Sequence, residues 1–578
     1  MNDTTTKDVA YVTPLKKICM TIGELPSSYL ETMSYYEMLV WFTEFLKNQV
    51  IPTVNNNAEA VQELQTLYED LKTYVDNYFD NLDIQTEINK KIDELVEDGT
   101  IAQILDSYAQ PILSDLTSEV NGLLGEAEEV LNDVEPEINK LRRNNYNYYS
   151  NLELDSNIGD FIKNNITIYE SNDKQNYDYA INDLHVGTRT DENTIYVSPN
   201  VTHTYNTGSG TLADPYGNIN KAIDSVTDGG TIVLLEGIYV RNCFSSTNQP
   251  DKSKSFNIIG EPGKENNVIC GCIEPALTWT QDSTYTNVYY TTRSNVNEVI
   301  DIRGKDNNVF SRLKTRGSKE LVSNELNTCY IEGTTLYVNI GEEPTFDKLL
   351  VTVSVALNID LTPSANRTVY CENITFINTN SSFVKAEGSA SYDLIFKADK
   401  CKFLFGIGTN ALSVKGCNTI LKNCEASYSF SYDGFNYHSS NNKICNSIEI
   451  NCVGDYNGYG SSQNINNGST SHDGSKILRI NGKYYNNKGG NVVDINQNTL
   501  SLNFNCYSFD SNAANQDSNN CDYSTQSAGT TMYLYNCYSR GNSKYNLVAA
   551  SDSTIYISNC RYDTTLVGQT GHIIDLNA

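Results

Sequence analysis

Along residues 34–50, "SYYEMLVWFTEFLKNQV", the apolar side chains Met38, Leu39, Trp41, Phe42, Phe45 and Leu46 fall on one broad stripe. Ser34 and Glu37 precede them at capping-box spacing, and the pattern predicts a short amphipathic helix that must pack on something. Beyond Pro52 the period becomes seven. Val54, Val61, Tyr68, Val75 and Leu82 keep one register, and Asn57, Leu64, Leu71 and Tyr78 stand three residues after the first four, the two seams of a coiled coil. A further seam through Leu113, Leu116, Val120, Leu123, Ala127, Val130, Val134 and Leu141 is weakened by Gly122, Gly125 and Pro136, so residues 1–143 read as a segmented helical stem. Sustained heptads favour a seam between chains over a helical hairpin. Residues 144–190 are rich in Asn, Asp and Tyr without a period and read as a connector or small adaptor.

From about residue 191 the pattern changes to short strands, "TIVLLEGIYV", "FNIIG", "TLYVNI" and "TIYISNC", separated by Asn, Gly, Ser and Asp clusters. A strand followed by Asn-Cys or its equivalent recurs at Cys371, Cys401, Cys424, Cys452, Gly482, Cys506, Cys537 and Cys560, at intervals of 30, 23, 28, 30, 24, 31 and 23 residues. Such a repeat of short strands and polar turns predicts a solenoid over 191–578, with the thiols stacked as an internal ladder and Gly482 a rung without a side chain. In "TGSGTLADPYGNINKAIDSVTDGGTIVLLEGIYV" (207–240), Asp214 and Pro215 suggest a helix start, with Ile219, Ala222, Ile223 and Val226 at helical spacing. This helix would cap the open end of the stack.

Charge narrows the partners. Of 578 residues, 71 are acidic and 41 basic, a formal charge of -30. Such a surface repels nucleic acid and anionic membranes, and an anionic polymer substrate would need a basic groove or bound cations. No stretch has the length and apolarity of a membrane span, and the first residues contain no secretory apolar core, which implies synthesis in a cytoplasm without membrane insertion. The cysteine count, 15, is odd and contains no CxxC pair, so free buried thiols are expected.

The passage "GSGTLADPYGNINKAIDSV" followed by "GGTIVLLEGIYV" closely resembles the opening of right-handed parallel β-helix proteins of the pectate-lyase-like superfamily. The N-terminal "SYYEMLVWFTEFLKNQVIPTVNNNAEAVQELQTLYEDLKTYVDNYFDNLDIQTEINKKIDELVEDG" resembles the head-attachment segment of tail fibres, tailspikes and neck appendages of phages infecting Gram-positive, low-GC bacteria. The first resemblance implies a mainly β fold, a right-handed parallel β-helix preceded here by the helical stem. Together they imply a homotrimer whose stem docks on neck, tail or portal-proximal virion proteins and whose shaft meets the host surface.

Candidate chemistry concentrates between Cys424 and Cys506. "SYDGFNYH" and "SHDG" place Asp433, His438, Asp455, His472, Asp473 and Asp494 in neighbouring coils, although the chain has only five histidines. Strands of adjacent coils lie about 4.8 Å apart, so these carboxylates and imidazoles are expected to line one groove as catalytic groups, with His472 and Asp473 the leading pair. Asp-Gly is also a turn signal, and turn residues bonding their own backbone are the competing structural reading. Phe435, Tyr437, Tyr456, Tyr459 and Arg479 are the substrate-binding candidates, aromatic rings beside polar groups being suited to sugar faces. Paired carboxylates fit glycoside hydrolysis. A divalent metal held by Asp and His would suit phosphodiester hydrolysis of a teichoic acid. Elimination, which calls for an arginine base beside calcium carboxylates, ranks third because Arg479 has no matching pattern around it. A host cell-wall glycopolymer is the expected partner, hydrolysed or, in the alternative, only bound.

Overall fold

The computed structural model describes residues 149–578, apart from residues 173, 245–249, 265, 308, 355–357, 379–381, 461–465, 512–520, 542–543, 568–569 and 578; the helical stem predicted over 1–143 lies outside the described residues. From Thr194 the chain winds into a mainly β solenoid, a parallel β-helix with three sheets. Sheet A has twelve strands, from Thr194–Val197 to His572–Asp575; sheet B has nine, from Gly237–Tyr239 to Tyr538–Arg540; sheet C has nine, from Ile359–Asp360 to Thr565–Val567. Each strand pairs in parallel with its equivalent one coil away, as in the series Thr419, Ser447, Ile477, Ser501 of sheet A.

The corner from sheet A to sheet B is a single residue in the left-handed region. Asn373, Lys400, Asn423, Asn451, Asn481, Asn505, Asn536 and Asn559 hold φ between 50° and 54°, a conformation that Asn reaches at less cost than most side chains. Their amides bond coil to coil: Asn451 donates to Asn423 at 2.9 Å, Asn481 to Asn451 at 3.1 Å, Asn505 to Asn481 at 3.2 Å and Asn536 to Asn505 at 2.9 Å. The next residue points inward and builds the expected thiol column, with Cys401, Cys424, Cys452, Cys506 and Cys537 buried and Cys560 partly so, all free. The column begins at Ile374 and not at Cys371, which lies three residues earlier, inside a sheet A strand opposite Ala398. At Gly482 the missing side chain leaves room for the Tyr484 ring, which a Cβ there would strike.

The cap helix is Ile219–Ser225, with Asn218 as N-cap accepting from the Lys221 amide at 3.1 Å. It starts later than expected because Asp214 is bridged to Thr211 in a tight turn. Ile219, Ala222 and Ile223 close the core at that end.

Two features were not anticipated. Between sheet B strand Val268–Gly271 and Ile359–Asp360 the chain inserts a small β module with a five-stranded sheet, a three-stranded sheet and its own core around Val299, Leu336, Val338 and Val351. The segment 149–186, within the stretch read as a connector or small adaptor, folds as a strap of three antiparallel strands (Tyr149–Asn151, Ile166–Ser171, Tyr177–Ile181) and a helix, Asp160–Asn165. Its Ile158, Ile162, Ile166 and Ile168 pack on Ile448, Ile450, Leu478, Ile480, Leu502 and Phe504, the outer face of sheet A.

Beneath that face the polarity of the coil is reversed. Glu449, Arg479 and Asn503 of sheet A, Tyr484 of sheet B and Ser469 and Asp494 of sheet C meet in the interior, with none exposed. Arg479 donates to Asp494 at 3.1 Å, to Ser469 at 2.9 Å and to Asn503 at 3.3 Å; Ser469 and the Tyr484 hydroxyl both donate to Glu449. Buried ions persist only when paired and hydrogen-bonded in this way.

Candidate functional site

Four of the six predicted catalytic residues come together on the outer side of sheet C. His438 and His472 end the paired strands Phe435–His438 and Ser469–His472 and stand in register. Their rings stack with centroids 4.3 Å apart and planes 9° apart. Asp473 follows in the left-handed region (φ 59°) with Gly474 (φ 79°) behind it, so the Asp-Gly turn forms as such. That turn aims the carboxylate of Asp473 back one coil, where its Oδ2 lies 2.9 Å from His438 Nδ1. The partner of Asp473 is therefore His438 and not its neighbour His472. Asn496 donates to the other Asp473 oxygen at 3.3 Å.

On the far side of the imidazole stack, Asn436 Nδ2 lies 3.3 Å from His472 Nε2 and 2.7 Å from Asp433 Oδ2, while the Asn467 amide donates to Asp433 Oδ1 at 2.7 Å. The array thus runs without a break from Asp433 through Asn436 and the two rings to Asp473. Its ionisation is graded. Burial pushes Asp433 up to about 6, against the hydrogen bonds from Asn467 and Asn436. Burial and the facing His438 pull His472 down to about 4. For Asp473 burial acts upward but is outweighed by hydrogen bonds from His438 and Asn496, which leave it below the usual carboxylate value. Groups held at different protonation states side by side are what acid and base chemistry needs.

The remaining candidates separate from this array. Phe435, Tyr437, Arg479 and Asp494 point into the interior with none of their surface exposed, so they are core and not ligand-facing groups. Strand alternation explains the two aromatics: they share strand Phe435–His438 with Asn436 and His438 but face the other way. The proposed arginine of an elimination reaction is lost with Arg479.

Asp455, Tyr456 and Tyr459 belong to a second site on the outer side of sheet B. Asp455 accepts from Ser427, and Glu425 of the coil before lies 3.6 Å from Lys402. Burial, with the Glu425 charge adding to it, pushes Asp455 up to about 6. Burial also raises Glu425, against the pull of Lys402 and Ser427. At the end of these strands Phe405, Tyr428 and Tyr456 occupy one column, all in the left-handed region with φ 63°, 61° and 52°. Their rings stack at 5.3 Å and 5.6 Å. Arg312 of the inserted module covers Phe405, donates to the Tyr428 carbonyl at 3.1 Å and pairs with Glu298 at 2.6 Å. Arg312, Phe405, Tyr428, Tyr456 and Tyr459 line an open cleft of about 230 Å³.

Glu425, Lys402, Phe405, Tyr428 and Arg312 were not singled out from the sequence. The aromatic column had a signal: Phe405, Tyr428 and Tyr456 each follow a ladder cysteine, Cys401, Cys424 and Cys452, by four residues. Among the described residues no group of three or more His, Cys, Asp or Glu side chains is placed to hold a metal ion. Within the array, His438 Nδ1 is engaged by Asp473 and His472 Nε2 by Asn436.

No protein-family model matches the sequence, and no curated protein is similar to it. Among solved structures, the chain is similar to XylC in complex with xylose, at 12% identity over 64% of this chain and 70% of that one, with a TM-score of 0.40. It is similar to pectate lyase Pel9A at 10% identity, over 68% of this chain and 78% of that one, with a TM-score of 0.30. A third similarity is to the Gp54 tailspike of Acinetobacter baumannii bacteriophage AP22 in complex with capsular saccharide of that bacterium, at 8% identity over 60% of this chain and 68% of that one, with a TM-score of 0.26.

Proposed function

We propose that this chain is a phage tailspike or neck appendage whose β-helix binds and hydrolyses a host cell-surface glycopolymer, a polysaccharide or teichoic acid, during adsorption. Attachment through the N-terminal stem and trimeric assembly belong to the same proposal and rest on the sequence resemblance of residues 34–99. The observation that carries the catalytic part is the His438–Asp473 pair beside Asp433 on two adjacent coils.

In this reading Asp473, ionised, fixes the proton of His438 on Nδ1 and leaves Nε2 as the base. His438 Nε2 takes a proton from water as the oxygen attacks the anomeric carbon or the phosphorus, and the bond to the leaving oxygen breaks. Asp433, when protonated, gives its proton to that leaving oxygen, and the imidazolium proton later restores it. His472 stays neutral, which lets the two rings stack without charge repulsion, and Asn436 fixes its orientation.

The test is release of soluble fragments from isolated Gram-positive cell-wall polymer by the purified full chain, with and without EDTA. Fragments are expected with the parent irrespective of EDTA, and a loss of rate on the order of 10²-fold or more is expected for His438→Ala. Because Asp433 must hold a proton, the rate should fall as pH rises through about 6. Polymer that is bound by the parent but never shortened would leave an adhesin, the reading that the sheet B cleft favours.

A further inference from the structure

We propose that the cleft between the inserted module and sheet B is a separate saccharide-binding site, selective for pyranose units that carry neither carboxylate nor phosphate. The proposal rests on the reading of the shaft as a glycan-binding surface, but on a different set of residues from the cleavage site.

The backbone supplies the first argument. A bulky side chain in the left-handed region is an outlier that the surroundings must enforce. Here three occur in one column, Phe405, Tyr428 and Tyr456, whereas the equivalent positions of the next coils are Asn486, Asp510 and Gly541, residue types that adopt this conformation readily. Phe405 closes the inner end of the column inside the core, but burial does not require a ring at its outer end, since Tyr456 is 37% exposed and Tyr459 beside it 59% exposed. The stacked rings and Tyr459 line the cleft, an apolar surface of the kind that meets the C–H groups of a sugar.

Charge supplies the second. Two cations beside the cleft are committed: Arg312 to Glu298 and the Tyr428 carbonyl, Lys402 to Glu425. Glu425 and Asp455 stand on the strands that lead into the column, and burial together with their charge opposes ionisation of the Tyr428 hydroxyl. An anionic sugar would bring a further negative charge close to these buried carboxylates, which a neutral sugar would not.

The test is a glycan array carrying neutral, uronate-bearing and phosphate-bearing bacterial oligosaccharides, probed with the full chain and with Tyr456→Asn, Tyr459→Ala and His438→Ala. Asn preserves the left-handed backbone at 456, and thermal melting of each variant reports its folding. Binding is expected on neutral glycans, weakened at least tenfold by Tyr456→Asn and Tyr459→Ala at parental melting temperature, and retained by His438→Ala. Binding confined to anionic glycans, binding indifferent to both tyrosine variants, or no binding to any glycan would overturn the proposal. Fragment release by the parent is a separate readout: its absence together with neutral-glycan binding would remove the hydrolase reading and leave the cleft standing.

Discussion

Single side chains decide whether the interior of this solenoid holds. Arg479 is the cation that balances the buried Glu449 and Asp494, so Arg479→Met leaves two carboxylates without compensation. Breaking such a pair from one side costs about 3–5 kcal/mol, and replacing all partners with neutral groups restores much of it. Chemical denaturation should therefore find Arg479→Met strongly destabilised and the combined Arg479→Met, Asp494→Leu, Glu449→Gln variant substantially recovered. Gly482 is the reverse case. A Cβ there meets the ring and hydroxyl of Tyr484, so Gly482→Ala is expected to lose about 1–3 kcal/mol in the same measurement, as overpacked cores do. Residue type is legible in the sequence while residue direction is not: Asp433, His438, His472 and Asp473 lie in one array, whereas Phe435 and Tyr437 of the same stretch face the core. A strand of four residues has too few alternations to reveal which parity faces out, and the parity is reset at every corner.

At the scale of elements, the corner asparagines and the thiols behind them are the part of the fold most visible in the sequence, because each coil repeats the same dipeptide. Reading the cysteine rather than the asparagine misplaced the first rung, since Cys371 imitates the pattern while the turn itself is Asn373–Ile374. The inserted module leaves no distinct pattern in the sequence because its strands have the length and composition of coil strands, and only pairing distinguishes them. The strap leaves none because its isoleucines are few and irregularly spaced. One of its anchors titrates. The facing Glu372 carboxylate, opposed by burial and helped by Asp183, raises His185 to about 9; its ring nitrogens lie 3.6 Å from Glu372 and 2.9 Å from Asp183. A folded-state value above the ordinary 6.5 contributes stability that is complete below about 6.5 and is lost as pH rises through about 9. Amide hydrogen exchange of residues 177–186, corrected for intrinsic rates, should accelerate across that interval, and Glu372→Gln should remove most of the dependence.

For the molecule as a whole, coils that touch only their neighbours make stability nearly a sum of local terms, and such stacks fray from an open end. The strap alters that arithmetic. It is bonded to Asn257 through Val186, to Glu372 through His185, to Asn505 through Tyr177, to Tyr533 through Asp155 and to Asn559 through Lys174. Its apolar face meanwhile covers the coils where the interior is polar and least able to hold itself together by hydrophobic burial. Strap and reversed polarity are thus one arrangement: the apolar layer that is missing inside has been placed outside and roofed over. A mechanical consequence follows. Tension arriving from the chain before residue 149 does not reach the shaft as a pull on its terminal coil, which would unzip one rung at a time. It enters from the side, as shear distributed along the flank, and rungs loaded in parallel must yield together.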